Sequence, residues 1–152
     1  MTSKIDRSKL IIPALGGIYD RFAPYSYAFM RFATGAVLVP HGVQKLLFAS
    51  TDAFAGNIGS KGLPFAGILA VLAFITESVG AACLAVGLFT RIAAAMIFVH
   101  MTVIILFFQW QFGYFWTNRG IEYALLWWLL CLAIFFRGGG RYSVDHYIGK
   151  EF

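Results

Sequence analysis

The sequence predicts an all-α integral membrane protein, a bundle of four spanning helices with both termini on the cytoplasmic side. Two observations carry that expectation. The 152 residues are 60% hydrophobic and only 12% charged, against roughly 45–50% and roughly 25% in soluble globular domains. The 16 Phe, 7 Tyr and 4 Trp are more large rings than the interior of a globule this size can hide, and the charges are too few to coat its outside. A soluble enzyme and a disordered chain are both excluded.

Four apolar stretches are candidate spans, at 25–48, 63–89, 92–112 and 121–136. Crossing a hydrocarbon core of about 30 Å takes about 20 helical residues. The second stretch is long enough to tilt. The fourth reaches only about 24 Å at 1.5 Å per residue, so it needs polar ends or a locally thin bilayer. The stretches do not alternate in polarity, which favours helices over the strands of a barrel. The chain reads as one membrane domain over 1–152, with a cytoplasmic or interfacial segment at 1–24 and a cytoplasmic tail at 137–152. Lys4, Arg7 and Lys9 followed by Pro13 and Gly16-Gly17 do not make a secretory leader.

The connections carry turn residues. Ser50 to Asp52 and Gly56 to Gly62 read as the longest loop, with Pro64 suited to the first turn of the second helix. Residues 87–91 form a tight turn, which makes the second and third helices antiparallel neighbours. Thr117 to Gly120 precede the fourth helix and Gly138-Gly139-Gly140 ends it.

The net charge of +5 reflects topology rather than nucleic acid, because the basic residues lie between and beyond the apolar stretches. Lys4, Arg7, Lys9, Arg21, Arg91, Arg137, Arg141 and Lys150 fall on one side, eight against Lys45, Lys61 and Arg119 on the other. The positive-inside rule then puts both termini in the cytoplasm of a bacterial-type inner membrane. Trp110 to Trp116 would form an aromatic belt at the outer interface. Cys83 and Cys131 lie inside apolar stretches without metal-ligand or disulfide spacing, and read as small buried side chains.

Ionisable residues inside a span cost at least about 2.5–3.5 kcal/mol at the bilayer centre, so they normally face the bundle interior and mark candidate sites. Arg31, Gly35, Leu38, Gly42 and Lys45 share one helical face, whose glycines allow close approach of another helix. Glu77, Gly80, Leu84 and Gly87 form a stripe on the second helix, and His100 stands on the third. By depth counting, Glu77 and His100 lie about 13–18 Å from the inner boundary. Arg31, Glu77 and His100 are therefore expected to form one buried network, and are the candidate catalytic groups. His41, Gln44, Lys45, Arg119 and Glu122 form a second polar cluster toward the outer side. Arg31, His41, Gln44, Lys45, Glu77, His100 and Glu122 are the candidate ligand contacts. A purely structural reading competes: Arg31–Glu77 as an ion pair that fixes register, His41 and Lys45 snorkelling to headgroups, and His100 as a hydrogen-bonded core residue. A bis-histidine haem is disfavoured because His41 and His100 differ in depth by roughly 9 Å. No nucleophile elbow, phosphate loop or metal cluster is present.

The same residues carry a family resemblance. Arg31, Gly35, His41-Gly42 and Lys45-Leu46 resemble the first-helix signature of the DoxX family. Gly62-Leu63-Pro64, Glu77 and the run from Leu84 to Ala94 resemble its second helix and Arg-bearing turn. Gly120 to Leu126 resembles the opening of its last helix, and Gly138 to Asp145 its glycine-rich exit. The match spans 27–145. The resemblance implies a compact four-helix inner-membrane protein, and motif roles for Arg31, Gly42, Lys45, Glu77, Arg91, Glu122 and Asp145, with Gly42, Arg91 and Asp145 structural. It supports neither His100 nor the cysteines. Relatives are attributed to quinone-linked sulfur oxidation or to membrane complexes handling oxidative stress.

The leading expectation is a redox-associated subunit, with or without catalysis of its own, that binds a quinone or another lipophilic molecule within the bundle. An alternative is a non-catalytic anchor for a soluble redox enzyme at the cytoplasmic face, through the N-terminal segment and the tail. A third is a small-solute transporter, which would require a homo-oligomer. Membrane lipids are the remaining expected partner.

Overall fold

The computed structural model describes residues 6–48 and 51–151. Lys4, Ser50 and the last residue of the tail lie outside the described residues. The chain is all-helical, and no strand occurs among the described residues. After two short 3-10 turns at Arg7–Lys9 and Pro13–Leu15, the helices are α1 (Gly16–Ala36), α2 (Val39–Phe48), α3 (Thr51–Ser60), α4 (Ala66–Ile75), α5 (Ala81–Val86), α6 (Thr90–Val103), α7 (Glu122–Arg137) and α8 (Val144–Ile148). A π-helical turn at Thr76–Gly80 joins α4 to α5, and another at Ile104–Gln109 extends α6.

Two of the resulting rods, Ala66–Val86 and Thr90–Phe112, are long and apolar enough to cross a membrane, with 21 and 23 residues. At 1.5 Å per residue each covers somewhat over 30 Å. Around them α1 packs on α5 and α7, α2 packs on the π turn and α4, and α6 packs on α7. Leu84, Ala94, Ile97, Cys131 and Ile134 are fully enclosed at the centre. The α7 indoles tie the rods together: Trp127 donates to the Thr34 carbonyl at 3.0 Å and Trp128 to the Thr102 hydroxyl at 2.9 Å. Large apolar side chains such as Phe29, Ile68, Val99 and Phe136 are more than half exposed. A surface of that kind suits lipid and not water.

Three expectations are corrected. The first helix starts at Gly16, nine residues before the expected start of the span at 25. Pro13 opens a turn that leads straight into α1 at Gly16. Proline suits such a start, because the N–H it lacks has no acceptor there. The rod is also not continuous to 48. It breaks between Ala36 and Val39, because Pro40 has no N–H for the Ala36 carbonyl. The expected long loop before the second helix contains α3 instead. Phe54 and Ile58, one turn apart, give that segment an apolar stripe. Ile58 is buried and Phe54 stacks on Phe74 of α4 at 5.4 Å.

The tight turn at 87–91 is present. Gly87 adopts φ +76° and its N–H and that of Leu88 both bond the Cys83 carbonyl at 2.9 Å, which closes α5.

Candidate functional site

The register of the first two rods is set by two glycines. A Cβ on Gly35 would come within 2.5 Å of the Ala85 nitrogen, and one on Gly42 within 2.6 Å of the Glu77–Ser78 peptide. Gly35 therefore faces α5 and Gly42 faces the π turn, in antiparallel order. Three residues beyond Gly42 on the same face, Lys45 comes level with Glu77. Four residues before Gly35, Arg31 comes level with the end of α5. This register separates two groups that depth counting had merged.

The first group is a charged triad. Glu77 is 2% exposed on the π turn. The Lys45 ammonium donates to both its oxygens, at 2.6 and 2.5 Å. His100 of α6 donates from Nε2 to Glu77 Oε1 at 2.8 Å. A carboxylate at this depth is tolerable only with such partners. Two of the three ammonium hydrogens are spent on Glu77, which leaves one donor. The other ring nitrogen of His100 has no partner among the described residues. Both spare groups belong to side chains that line an apolar groove of about 1010 Å³ between α3–α4 and α6. Its walls include Leu69, Leu72, Thr76, Met96 and Val99. The Lys45 ammonium also lies 5.0 Å from the centre of the Phe54 ring. The arrangement can hydrogen-bond a carbonyl oxygen and exchange a proton with it, shielded from water on one side.

The second group lies at the opposite end of the rods, here called the tail end. Arg31 is buried, but it does not meet Glu77 or His100. Its guanidinium donates to the carbonyls of Leu84, Ala85 and Tyr142, each at 2.7 Å. The first two lie in the last turn of α5, where a cation is favoured. Asp145 mirrors this at the N-terminus of α6. It accepts from the amides of Phe89 and Thr90 at 2.7 and 2.8 Å and from the Thr90 hydroxyl at 2.6 Å. Arg91 reaches the carbonyls of Phe135 and Phe136 and the carboxylate of Glu151. These residues fasten the tail over the 87–91 turn.

The expected outer cluster is also divided. Lys45 belongs to the triad. His41 and Gln44 are exposed on α2 and do not line the groove. His41 and His100 thus do not converge on a common pocket. Glu122 accepts from the Trp116 amide at 3.1 Å and pins the aromatic turn before α7. Arg119 stacks over Phe112 at 5.1 Å, at the far mouth of the groove. Cys131 is fully buried and Cys83 half-buried. The sequence did not mark α3 as a groove wall, although the four-residue spacing of Phe54 and Ile58 was the available signal.

Fold and site together define an all-helical membrane protein with a charged triad opening on an apolar groove. The sequence model of the DoxX family matches residues 26–110. An uncharacterized protein of Haemophilus influenzae is 33% identical over 136 residues, which is 87% of this chain and 97% of that protein. No solved structure matches. The chain belongs to the DoxX family. The matched segment contains Arg31, Gly42, Lys45, Glu77 and Arg91, so both groups are represented in it, whereas Glu122 and Asp145 lie beyond it.

Proposed function

We propose that the protein holds a quinone, or a lipophilic carbonyl compound like it, in the groove between α3–α4 and α6, as a redox-associated subunit. The observation that carries this reading is that Lys45 and His100, both bonded to Glu77, keep spare hydrogen-bonding capacity and line an apolar trough. Lys45 would bond one carbonyl of the head, and His100, held through Nε2 by Glu77, would pass a proton to or from it. The isoprenoid chain would follow the apolar wall. Arg31 has no part in this, because it lies at the tail end, where its guanidinium bonds the carbonyls of Leu84, Ala85 and Tyr142.

The proposal includes the setting. All four rods cross a bacterial-type cytoplasmic membrane, both termini face the cytoplasm, and any soluble redox enzyme that supplies electrons docks at the tail end.

The test is solvent extraction of the purified protein and mass spectrometry of what comes out, with an unrelated membrane protein as control. A stoichiometric quinone is expected from wild type. Lys45→Met and Glu77→Gln should each retain at least about tenfold less, the loss of one charge-assisted bond. Equal retention by wild type and both folded variants would sink the proposal, and an anchor without a ligand of its own would then be the better reading.

A further inference from the structure

The end of the groove remote from the tail carries a second, chemically different site. A pocket of about 320 Å³ lies there, lined by Asn57 and Lys61 from the α3 side and by Gln109, Gln111 and Arg119 from the far end of α6 and the aromatic turn. Two of these side chains are cationic and none of the lining residues is acidic. The pocket shares Phe108, Gln109 and Arg119 with the apolar groove, so the two are continuous. Gln109 contributes a side-chain oxygen that is buried and has no hydrogen-bond partner among the described residues. A buried acceptor without a donor is costly and is rare in native structures. The site thus offers positive charge for an anion, an acceptor for a hydroxyl, and an apolar trough leading away.

We propose that this pocket binds the headgroup of an anionic phospholipid of the phosphatidylglycerol class. Its phosphodiester sits between Lys61 and Arg119, a glycerol hydroxyl donates to the Gln109 oxygen, and an acyl chain enters the adjoining end of the groove. Charge complementarity selects this occupant. Phosphatidylcholine has no net charge and no headgroup hydroxyl. Free phosphate has no chain for the trough. This site does not depend on the quinone reading, because its polar groups are separate from Lys45, Glu77 and His100.

The experiment uses the full-length protein in nanodiscs of phosphatidylcholine with a minor fraction of phosphatidylglycerol, followed by gentle detergent extraction and native mass spectrometry. Wild type should retain phosphatidylglycerol in clear excess over its share of the bilayer. Lys61→Gln with Arg119→Gln should lower that preference by about thirtyfold, as expected when two basic contacts are lost. Arg137→Gln with Arg141→Gln, at the tail end, should leave it unchanged. Equal loss in both double variants would show diffuse charge attraction and overturn the proposal, as would no loss in the first. Displacement of the lipid by inorganic phosphate alone would also overturn it, since the chain would then contribute nothing. Wild type provides an independent readout through Trp110, which lies between Gln109 and Gln111 in the sequence. Brominated phosphatidylglycerol should quench tryptophan emission at lower mole fraction than brominated phosphatidylcholine, and coincident curves would refute the site. Quinone content measured on Lys61→Gln alone separates the two proposals, because Lys61 lines this pocket and not the groove, so that variant should keep its quinone.

Discussion

Asp145 illustrates how one residue can hold distant parts of a membrane chain together. Its carboxylate closes the start of α6 from the tail, 55 residues away along the sequence, and three donors converge on it in a buried place. Asp145→Ala leaves those donors unsatisfied, and should cost about 3 kcal/mol or more, read as a lower melting temperature in detergent. Asp145→Asn, which keeps one acceptor, should fall between. If Asp145→Ala melts with wild type, the latch carries no stability. Gly87 is constrained twice. Its φ of +76° suits glycine, and a Cβ there would come within 2.6 Å of the Arg31 guanidinium. Residues of this kind were legible as motif positions, but their partners were not. Arg31 and Glu77 looked like a pair because they are opposite charges in facing helices. The deciding contacts are backbone carbonyls at a helix end, which no side-chain pattern announces.

At the scale of the element, the π turn and α2 form one device. The extra residue of the π turn lies where Glu77 must point at both α2 and α6, and π turns often mark functional positions. Gly42 lets α2 descend onto it. Gly42→Val should force the two apart, cost about 1–3 kcal/mol as overpacking does, and break the Lys45–Glu77 contact, so bound quinone should fall with stability. Gly56 in α3 has nothing within 4 Å of a built Cβ. Gly56→Ala should therefore be neutral or stabilising, by up to about 1 kcal/mol. If both substitutions behave alike in thermal melts, close approach is not what Gly42 provides. The apolar stretches gave the elements away because hydrophobic length is a strong signal. The break at Pro40 and the helix over 51–60 were obscured for opposite reasons. An apolar run continues through the break, while the glycines of α3 resemble a loop until Phe54 and Ile58 are read as one stripe.

For the whole molecule, the distribution of Lys and Arg between the two ends is the feature proposed to orient it. Lys45 is neutralised by Glu77, so at the α3 end only Lys61 and Arg119 remain as cations among the described residues outside the rod interiors. The tail end gathers Arg91, Arg137, Arg141 and Lys150, and the N-terminal segment adds Arg7, Lys9 and Arg21. This excess of Lys and Arg at the tail end is the basis for proposing that both termini lie in the cytoplasm. Single cysteines in a Cys83→Ala, Cys131→Ala background measure it directly. Lys61→Cys should react with a membrane-impermeant maleimide added to intact cells. Arg137→Cys should react only after the membrane is permeabilised. The reverse pattern would invert the topology and move any electron-donating partner to the α3 end. Labelling of both positions in intact cells would mean that the four rods do not separate the two ends, and the four-span arrangement would fall with it. The background substitutions should be mild at the half-buried Cys83. They should cost more at the fully enclosed Cys131, where removing the sulfur leaves a small void of about 1 kcal/mol.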